Sequence, residues 1–408
     1  MKNCKILFVL LLSVYYTQIS AQVVPLDSVL KRIESSNPML KMYDEQIIAI
    51  DNFSQMTRSW MPTTLSGGLW ETPYENIKEG MFMITGEQMI PNPAKQKANY
   101  RFMQAMVSVE QAGKGTRQNE MFTMAKKNYY EWVILKRKHD ILIQTDSLLN
   151  NIIDVARIRY TYNKEQLNNI YKAQADLFEL RNMESMLLSD IKMKNIELNT
   201  LMNLDVNNIF DVDTTLHIHN YESQFLDTAH ILNSRSDIKQ FDAQIAMAKL
   251  QQQYEKSKRL PDFGISLSHM ESLGMMPNQY SAMGMVTIPI APWASKEYKA
   301  NIKGLENTTN AITYQKQALT NETAGMISSL QVQMKAIKQQ LSNYNENIGP
   351  TYYKSFQASL LSYEQNTEDL FVVLEGLKMY RMAKMNELDQ LQLLLNLEVE
   401  YEKQLEIQ

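Results

Sequence analysis

The feature that most restricts the fold of this chain is a stretch without proline, from Ala94 to about Tyr160, which only Gly113 and Gly115 interrupt. Because strong helix breakers are absent, the stretch predicts one helix of roughly 100 Å, at a rise of about 1.5 Å per residue. A turn is expected at Asn163, followed by a second long helix from about Glu165 to Met202. Helices of this length are too long for a globular core, so they are expected to pack side by side in coiled-coil fashion.

The second half of the chain contains a similar pair of helices, predicted from Ala294 to about Asn347 and from Thr351 to Leu405. The composition agrees with this prediction, since 13 glycines and 11 prolines are few for 408 residues. Such low counts argue against a doubly wound enzyme fold with many tight loops. The chain is therefore expected to be mainly α-helical.

The two halves of the chain repeat one order of elements. Leu40–Ile47 corresponds to Ile238–Ile245, and the matching segments lie 198 to 203 residues apart. Each half is predicted to contain a helix, two strands, a long helix, a turn and another long helix. The predicted boundaries are residues 1–21 for a signal peptide, 22–215 for the first repeat and 216–408 for the second, with β-hairpins at about 63–90 and 262–290 and long helical hairpins at about 94–202 and 294–405.

Four shorter segments show the period-two alternation of β-strands. In residues 262–270, for example, Phe263 and Ile265 alternate with small or polar residues. Each run has roughly nine to eleven residues, the length of a tilted strand that crosses a membrane. Aromatic residues such as Trp60 and Trp293 lie near the ends of these runs. On the strands alone, two soluble hairpins attached to a helical body are an equally good interpretation.

The N-terminal residues have the three parts of a secretory signal peptide. Lys2 and Lys5 precede an apolar run from Ile6 to Tyr16, and the small residue Ala21 stands before the expected cleavage site. The run of about eleven residues is too short for a transmembrane helix. The single cysteine, Cys4, lies in this segment, so the mature chain is expected to contain no disulfide, zinc-thiolate site or cysteine nucleophile.

Charge and motifs exclude several classes of function. The formal net charge is −4, without the basic excess of a nucleic-acid binder, so no nucleic acid is expected as a partner. The glycine-rich phosphate loop and the hydrolase and metalloprotease motifs are missing from the sequence. No catalytic residue and no cofactor are therefore predicted.

Methionine is abundant, with 27 residues, and thioethers suit soft monovalent metal ions. Five methionines lie around the second predicted hairpin: Met270, Met275, Met276, Met283 and Met285. Packing explains methionine in long helices and on strand faces, and the pair His217 and His219 lacks a third ligand nearby in sequence. No metal site is predicted, and whether the second hairpin binds copper or silver stays open from sequence.

Four strands are too few to close a barrel, because an open edge in lipid leaves backbone amides and carbonyls without hydrogen bonds. If the strands lie in a membrane, several chains must share one barrel. Three copies would supply twelve strands around a water-filled interior, with the long helices extending below as a tube. The resulting hypothesis is a homotrimeric conduit.

Several short motifs recur at matching places in the two halves. Asn37-Pro38 precedes the first helix and Leu260-Pro261 precedes the third strand. The helical tips carry the remaining motifs: Ala156–Asn163, followed by Ala173-Gln174, in the first half and Ser362–Asn366 in the second. Together with the order of elements, these motifs resemble the TolC-like outer-membrane efflux protein family over about Leu26 to Leu405. The resemblance implies a mainly α fold with a small membrane β part, in which long antiparallel helical hairpins form an α-barrel and four strands per chain contribute to a trimeric 12-stranded β-barrel.

The same resemblance implies an outer-membrane exit duct with a large periplasmic portion. Its implied partners are a periplasmic adaptor protein that docks on the helical tips, an inner-membrane efflux pump, outer-membrane lipid and two further copies of the chain. Such a duct conducts passively what the pump delivers and is not an enzyme. The alternative is a periplasmic coiled-coil adaptor or structural interaction protein, although an adaptor would have a single helical hairpin and no repeated halves.

The resemblance also assigns a periplasmic tip and gate to seven residues: Tyr160, Asn163, Tyr363, Asn366, Glu368, Asp369 and Glu375. Where the family has glycine, both tips have asparagine, the next most tolerant residue of a left-handed backbone. The acidic positions of the family correspond to Asn169 and Lys172 in the first half and to Val372 and Glu375 in the second, so only Glu375 keeps the acid. Glu368 and Asp369 could form an acidic ring in a trimer, or simply begin a solvated helix.

Overall fold

A computed structural model describes residues 23–224 and 235–407, so the predicted signal peptide at 1–21 lies outside the described residues. The helices are α1 (Leu26–Ser36), α2 (Pro38–Met56), α3 (Pro93–Thr161), α4 (Leu167–Leu201), α5 (Ser236–Ser257), α6 (Pro292–Asn343), α7 (Gly349–Glu364) and α8 (Leu370–Leu405). The strands are β1 (Val23–Val24), β2 (Thr64–Trp70), β3 (Met81–Ile90), β4 (Asp211–Val212), β5 (Asp262–Ser272) and β6 (Gln279–Thr287). The predicted mainly α fold with a small β part is confirmed.

The chain forms two compact units. Unit 1 comprises Met1–Pro38, Asn119–Leu226 and Met326–Gln408, and unit 2 comprises Met39–Gln118 and Asp227–Gly325. Each unit takes segments from both halves of the sequence. The division into two sequence repeats at about residue 215 stays a prediction.

Unit 2 contains a four-stranded antiparallel sheet in the order β2-β3-β5-β6. β2 with β3, and β5 with β6, form the two hairpins that the alternation predicts. The hairpins join into one sheet because β3 pairs with β5, with Met81 opposite Ser272 and Ile90 opposite Phe263. β2 and β6 are the outer strands, so each presents one backbone edge away from the sheet.

The two faces of this sheet differ in composition and in burial. Ile84 and Leu267 lie on one face, and their exposed fractions are 50% and 59%. On the opposite face, the exposed fractions of Ser266 and Ser268 are only 1% and 7%, and Ser268 forms a 2.9 Å hydrogen bond with Thr85. One face is therefore exposed and apolar, and the opposite face, which carries serine, threonine and methionine, includes buried hydroxyls; in a soluble sheet the apolar face is the buried one.

Two predicted boundaries are wrong. The last strand ends at Thr287 and not at Ile290, since Pro289 has no N–H for the ladder. The boundary between the last two predicted helices is also misplaced, because the chain passes near Asn347 through one π-helical turn, Tyr344–Ile348, directly into α7, and the helix predicted from Thr351 to Leu405 is instead divided by a turn at residues 365–369. The N–H of Gly349 donates to the carbonyl of Tyr344 in this wider turn, which accommodates the missing N–H of Pro350.

Unit 1 contains α4, α7 and α8 and the parts of α3 and α6 that lie within residues 119–161 and 326–343. α3 and α4 begin and end within two residues of the predicted bounds. At one end of this unit, α3, α4, α7 and α8 share a core of buried side chains: Leu149, Ile152, Ile153, Ala156, Ile170, Ala173, Leu177, Phe356, Tyr363, Leu370, Val373, Leu374 and Leu377. The same core fixes the positions of the turns between these helices.

A small element of unit 1 is not predicted from the sequence. β1 pairs in parallel with β4, with Val23 opposite Asp211, and the hydroxyl of Tyr129 donates to the carbonyl of Val24 at 3.0 Å.

Across residues 23–224 and 235–407, no helix combines the length and the apolar character needed to cross a bilayer.

Candidate functional site at the helical turns

The two long helical hairpins end in turns of the same geometry. The first tip turn (residues 162–166) joins α3 to α4, and the second tip turn (residues 365–369) joins α7 to α8. Asn163 and Asn366 are left-handed there, with φ of 58° and 62°. The N–H of Lys164 donates to the carbonyl of Arg159 at 3.0 Å, and the N–H of Thr367 donates to that of Ser362 at 2.9 Å. Each helix therefore ends in a Schellman motif with asparagine in the place that glycine usually takes.

Arg159, in the last turn of α3, binds the second tip turn. Its Nη1 donates to the carbonyl oxygen of Tyr363 at 2.7 Å, and its Nη2 donates to the side-chain oxygen of Asn366. The guanidinium also lies over the ring of Tyr363, 4.1 Å from the centroid. The Arg159 guanidinium therefore donates to a carbonyl at the C-terminus of α7 and also holds Asn366, which forms the turn.

Tyr363 is the buried centre of the site, with an exposed fraction of 1%. Its hydroxyl donates to Glu165, on the first tip turn, at 2.6 Å. Burial raises the pKa of the Tyr363 phenol, and the hydrogen bond to Glu165 and the negative charge of that carboxylate raise the pKa further, whereas Arg159 lowers it. The phenol therefore stays protonated and remains a donor at physiological pH.

A second bridge connects the beginnings of the two returning helices. Asp369 caps the N-terminus of α8, since its Oδ1 accepts the N–H of Phe371 at 2.7 Å. The side-chain amide of Asn169 donates to Glu165 at 2.9 Å and to Asp369 at 3.4 Å. Glu165, Asn169 and Asp369 thus form a chain of hydrogen bonds between the two tip turns.

The structure brings together some of the seven predicted residues and separates others. Tyr363, Asn366 and Asp369 belong to the network, and Asn163 forms the equivalent turn in the first hairpin. Tyr160 is half exposed and Glu368 is exposed, with its carboxylate 3.3 Å from the N–H of Asp369. Glu375 lies on α8, partly buried, beyond the first turn of that helix. The role of these seven residues as tip and gate stays a proposal.

Three residues of the network are missing from the predicted set. Arg159 and Glu165 lie within two residues of predicted residues in sequence, and Asn169 stands at a position where the resemblance to TolC-like proteins implies an acid. Their partners are about 200 residues away along the chain. The equal spacing of the two tips indicates that the turns are equivalent, but it does not indicate that they meet.

A second polar cluster in unit 1 surrounds the buried carboxylate of Glu398. Burial raises the pKa of Glu398 to about 7; the backbone N–H of His219 and the charge of Lys338 lower it, and Glu402 and Glu222 raise it. The His219 N–H donates to Glu398 at 3.1 Å, and the imidazole Nδ1 lies 3.6 Å from the other carboxylate oxygen. His219 thus interacts with a carboxylate, and its ring stacks on that of Tyr221 at 5.1 Å.

Neighbouring side chains fix this cluster in place. Glu402 pairs with the buried Lys126 at 2.6 Å and accepts the hydroxyl of Tyr221 at 2.9 Å. The ring of Tyr221 stacks on Tyr401 at 4.7 Å. Of the residues that the structure describes, no three or more from His, Cys, Asp and Glu are grouped to hold a metal ion.

The fold defined by these helices and strands is that of outer-membrane channels. No protein-family model and no curated protein matches the sequence. The solved structures that match include CusC, with a TM-score of 0.78 and 11% identity, covering 93% of this chain and 91% of CusC. The outer-membrane protein VceC of Vibrio cholerae gives 0.74 and 12%, covering 93% and 95%. The outer-membrane channel CmeC of Campylobacter jejuni gives 0.73 and 15%, covering 93% and 85%. The TolC-like fold expected from the sequence is confirmed.

Proposed function

We propose that this chain is the outer-membrane exit duct of a tripartite efflux system. The observation that carries the proposal is the sheet of unit 2, which exposes an apolar face and two unpaired outer edges. In water, an exposed apolar face and unpaired strand edges are both unfavourable. In lipid, an apolar face is favourable, but every strand edge must be hydrogen-bonded to another strand. Pairing β2 of one copy with β6 of the next satisfies the edges, and three copies close a barrel of about twelve strands.

The helices of unit 1 also carry a surface that a second copy would cover. α4 exposes four apolar side chains at seven- or eight-residue spacing: Tyr171, Phe178, Met186 and Met193. Such a stripe is typical of a coiled-coil seam that lacks its partner helix. A homotrimer would bury this stripe between neighbouring chains.

The solved structures of similar fold support the same function. CmeC is described as an outer-membrane channel, and CusC is described through the formation of a transmembrane channel. In the proposed duct, the substrate passes through without chemistry, driven by an inner-membrane pump and delivered through a periplasmic adaptor. The adaptor docks on the two tip turns, and Tyr160, Glu368 and Glu375 are available there to contact it or to line the constriction.

The alternative function, a periplasmic coiled-coil adaptor, agrees less well with the strands. An adaptor needs one helical hairpin, whereas this chain has two, and its sheet is made from both halves. A soluble sheet would also bury the face of Ile84 and Leu267.

Membrane fractionation followed by mass determination in mild detergent tests the proposal. The expected result is a protein that stays in the outer-membrane pellet through a high-salt wash, dissolves only in detergent and has about three times the mass of one mature chain. A monomer released from the periplasm without detergent would contradict the duct and favour the adaptor.

A further inference from the structure

Six methionines from both hairpins lie on one face of the four-stranded sheet. They are Met81, Met83 and Met89 on β3, Met270 on β5, and Met283 and Met285 on β6. The register establishes this arrangement: Met83 is opposite Met270, and Gly264 is opposite both Met89 and Met285. Because the hairpins are far apart in sequence, the grouping is invisible until the strands are paired.

The use of methionine on this face is selective. Within the strands β2, β3, β5 and β6, the face that carries the six methionines has no leucine, isoleucine, valine or phenylalanine, and the opposite face has no methionine. A requirement for apolar filling would be met as well by leucine or isoleucine. Apart from Trp70, the large apolar side chains of this face are therefore all thioethers, which are soft ligands as well as flexible fillers.

Two pairs of these thioethers are placed to converge. Met83 and Met270 are directly opposite on neighbouring strands, where Cβ atoms lie about 5 Å apart, and the buried Met81 is two residues away on the same face. Met89 and Met285 come from strands on either side of β5 and meet above Gly264. The Met89 Sδ is 2.5 Å, and the Met285 Cε 3.0 Å, from the point that a Cβ at residue 264 would occupy.

We propose that each pair, Met83 with Met270 and Met89 with Met285, binds one soft monovalent cation, Ag(I) or Cu(I). Thioether sulfur is a soft, neutral ligand that selects such ions. On this face the neighbours of the Met83–Met270 pair include the neutral hydroxyls of Thr85 and Ser268, whereas Met89 has Glu87 two residues away on its own strand, opposite Ser266. Hydroxyl and carboxylate oxygens are hard ligands, which compete poorly for a soft ion. The proposal stands on the sheet of one chain and goes beyond the proposed duct. In a closed barrel, this face would line the interior.

Calorimetric titration of the full mature chain in detergent with silver nitrate, in chloride-free buffer, tests the proposal. Met83→Leu/Met270→Leu and Met89→Leu/Met285→Leu remove two sulfurs each and keep apolar volume. The control Met61→Leu/Met326→Leu removes two exposed thioethers outside the sheet. Each paired variant should lose one silver ion per chain, or bind it at least tenfold more weakly, and the control should match the wild type. Unchanged silver binding in a variant that combines all four of these Met→Leu substitutions in the sheet would overturn the proposal.

Gly264→Ala gives a second test that removes no sulfur. The added Cβ would occupy the place where Met89 and Met285 meet, so one silver ion per chain should be lost while the Met83–Met270 ion remains. Unchanged stoichiometry would overturn the second site. Circular dichroism of each variant identifies any loss of fold. If Gly264→Ala does not fold, the Met89→Leu/Met285→Leu variant tests the second site. If the chain binds silver but is not trimeric, the proposed duct is contradicted, whereas the proposal of two metal sites stands.

Discussion

The Tyr363 hydroxyl donates a 2.6 Å hydrogen bond to Glu165 and so ties the turn of the second helical hairpin to the turn of the first. The two residues are 198 positions apart and belong to equivalent ends of the two halves. Arg159 strengthens the tie by holding the carbonyl and the ring of Tyr363. In the proposed duct, separating the two hairpins at this end would require breaking these contacts.

Tyr363→Phe tests whether this tie keeps the tips together. The variant retains the buried ring and removes only the donor to Glu165, a hydrogen bond to a charged group worth about 1.5–3 kcal/mol. We expect roughly a tenfold or larger increase in the open fraction of single channels recorded in planar bilayers. Tyr353→Phe, whose ring packs against Tyr380, is the matched control and should behave as the wild type. Equal open fractions in the two variants would remove Tyr363 from the gate.

Glu375→Gln tests the one position at which this chain keeps an acid that the resemblance to TolC-like proteins implies. Among the described residues Glu375 has no hydrogen-bond or ion-pair partner, so its charge is available to ions in solution. If it lines the constriction of a trimer, its loss removes three negative charges and should lower the preference for potassium over chloride. Reversal potentials in a salt gradient measure this preference. Glu364→Gln removes an exposed charge on α7 and is the control; the same effect in both variants would argue against a specific place for Glu375.

The buried Glu398 predicts a pH dependence of stability with a definite sign. Its folded pKa of about 7 lies above its ordinary value of 4.5, so the folded state holds the proton more tightly than the unfolded state. The free energy of unfolding should therefore fall as the pH rises from about 4.5 to 7, by about 2–3 kcal/mol from this group. Glu398→Gln should remove this fall and raise the melting temperature at pH 8.

Melting curves of the detergent-solubilised protein between pH 4.5 and 8 measure this effect. The variant His219→Asn removes the imidazole 3.6 Å from Glu398 but keeps the backbone donor. The fall of stability with pH should persist in it. Identical pH profiles for the wild type and Glu398→Gln would mean that this carboxylate is not responsible.

Leu267→Arg and Ser281→Arg form a matched pair for the two faces of the sheet. The two residues lie at nearly the same level, since Leu267 is opposite Ala282, the neighbour of Ser281. A charge on a lipid-facing strand position costs about 2–4 kcal/mol near the midplane, whereas an interior position tolerates it. We expect Leu267→Arg to lower the amount of trimer in the outer membrane severalfold and Ser281→Arg to leave it near the wild-type amount. The opposite order, by quantitative blotting of membrane fractions, would reverse the assigned faces.

The local elements of this fold could be predicted because their signals are local. The lack of proline after Ala94 gives α3 almost to the residue, and the alternation around Phe263 and Ile265 gives β5. The predicted helix end near Asn347 is wrong because a single π-helical turn accommodates Pro350 without ending the helix. Breaker residues alone do not distinguish a turn from a bulge.

The contacts between the halves could not be predicted. The pairing of Met83 with Met270 depends on the register between β3 and β5, and the contacts of Arg159 and Asn169 depend on how four helices pack around one core. Neither follows from the periodicity of a single segment. The spacing of the tips indicated that Tyr363 and Asn366 repeat Tyr160 and Asn163, but not that the two turns touch.

Conductance of the purified mature protein in a planar bilayer shows whether this chain forms an exit duct. We expect discrete, long-lived current steps of uniform size from a protein that migrates as a trimer. The proposed exit duct would be contradicted by a protein that inserts into the bilayer without producing current steps, or by one that stays monomeric and soluble.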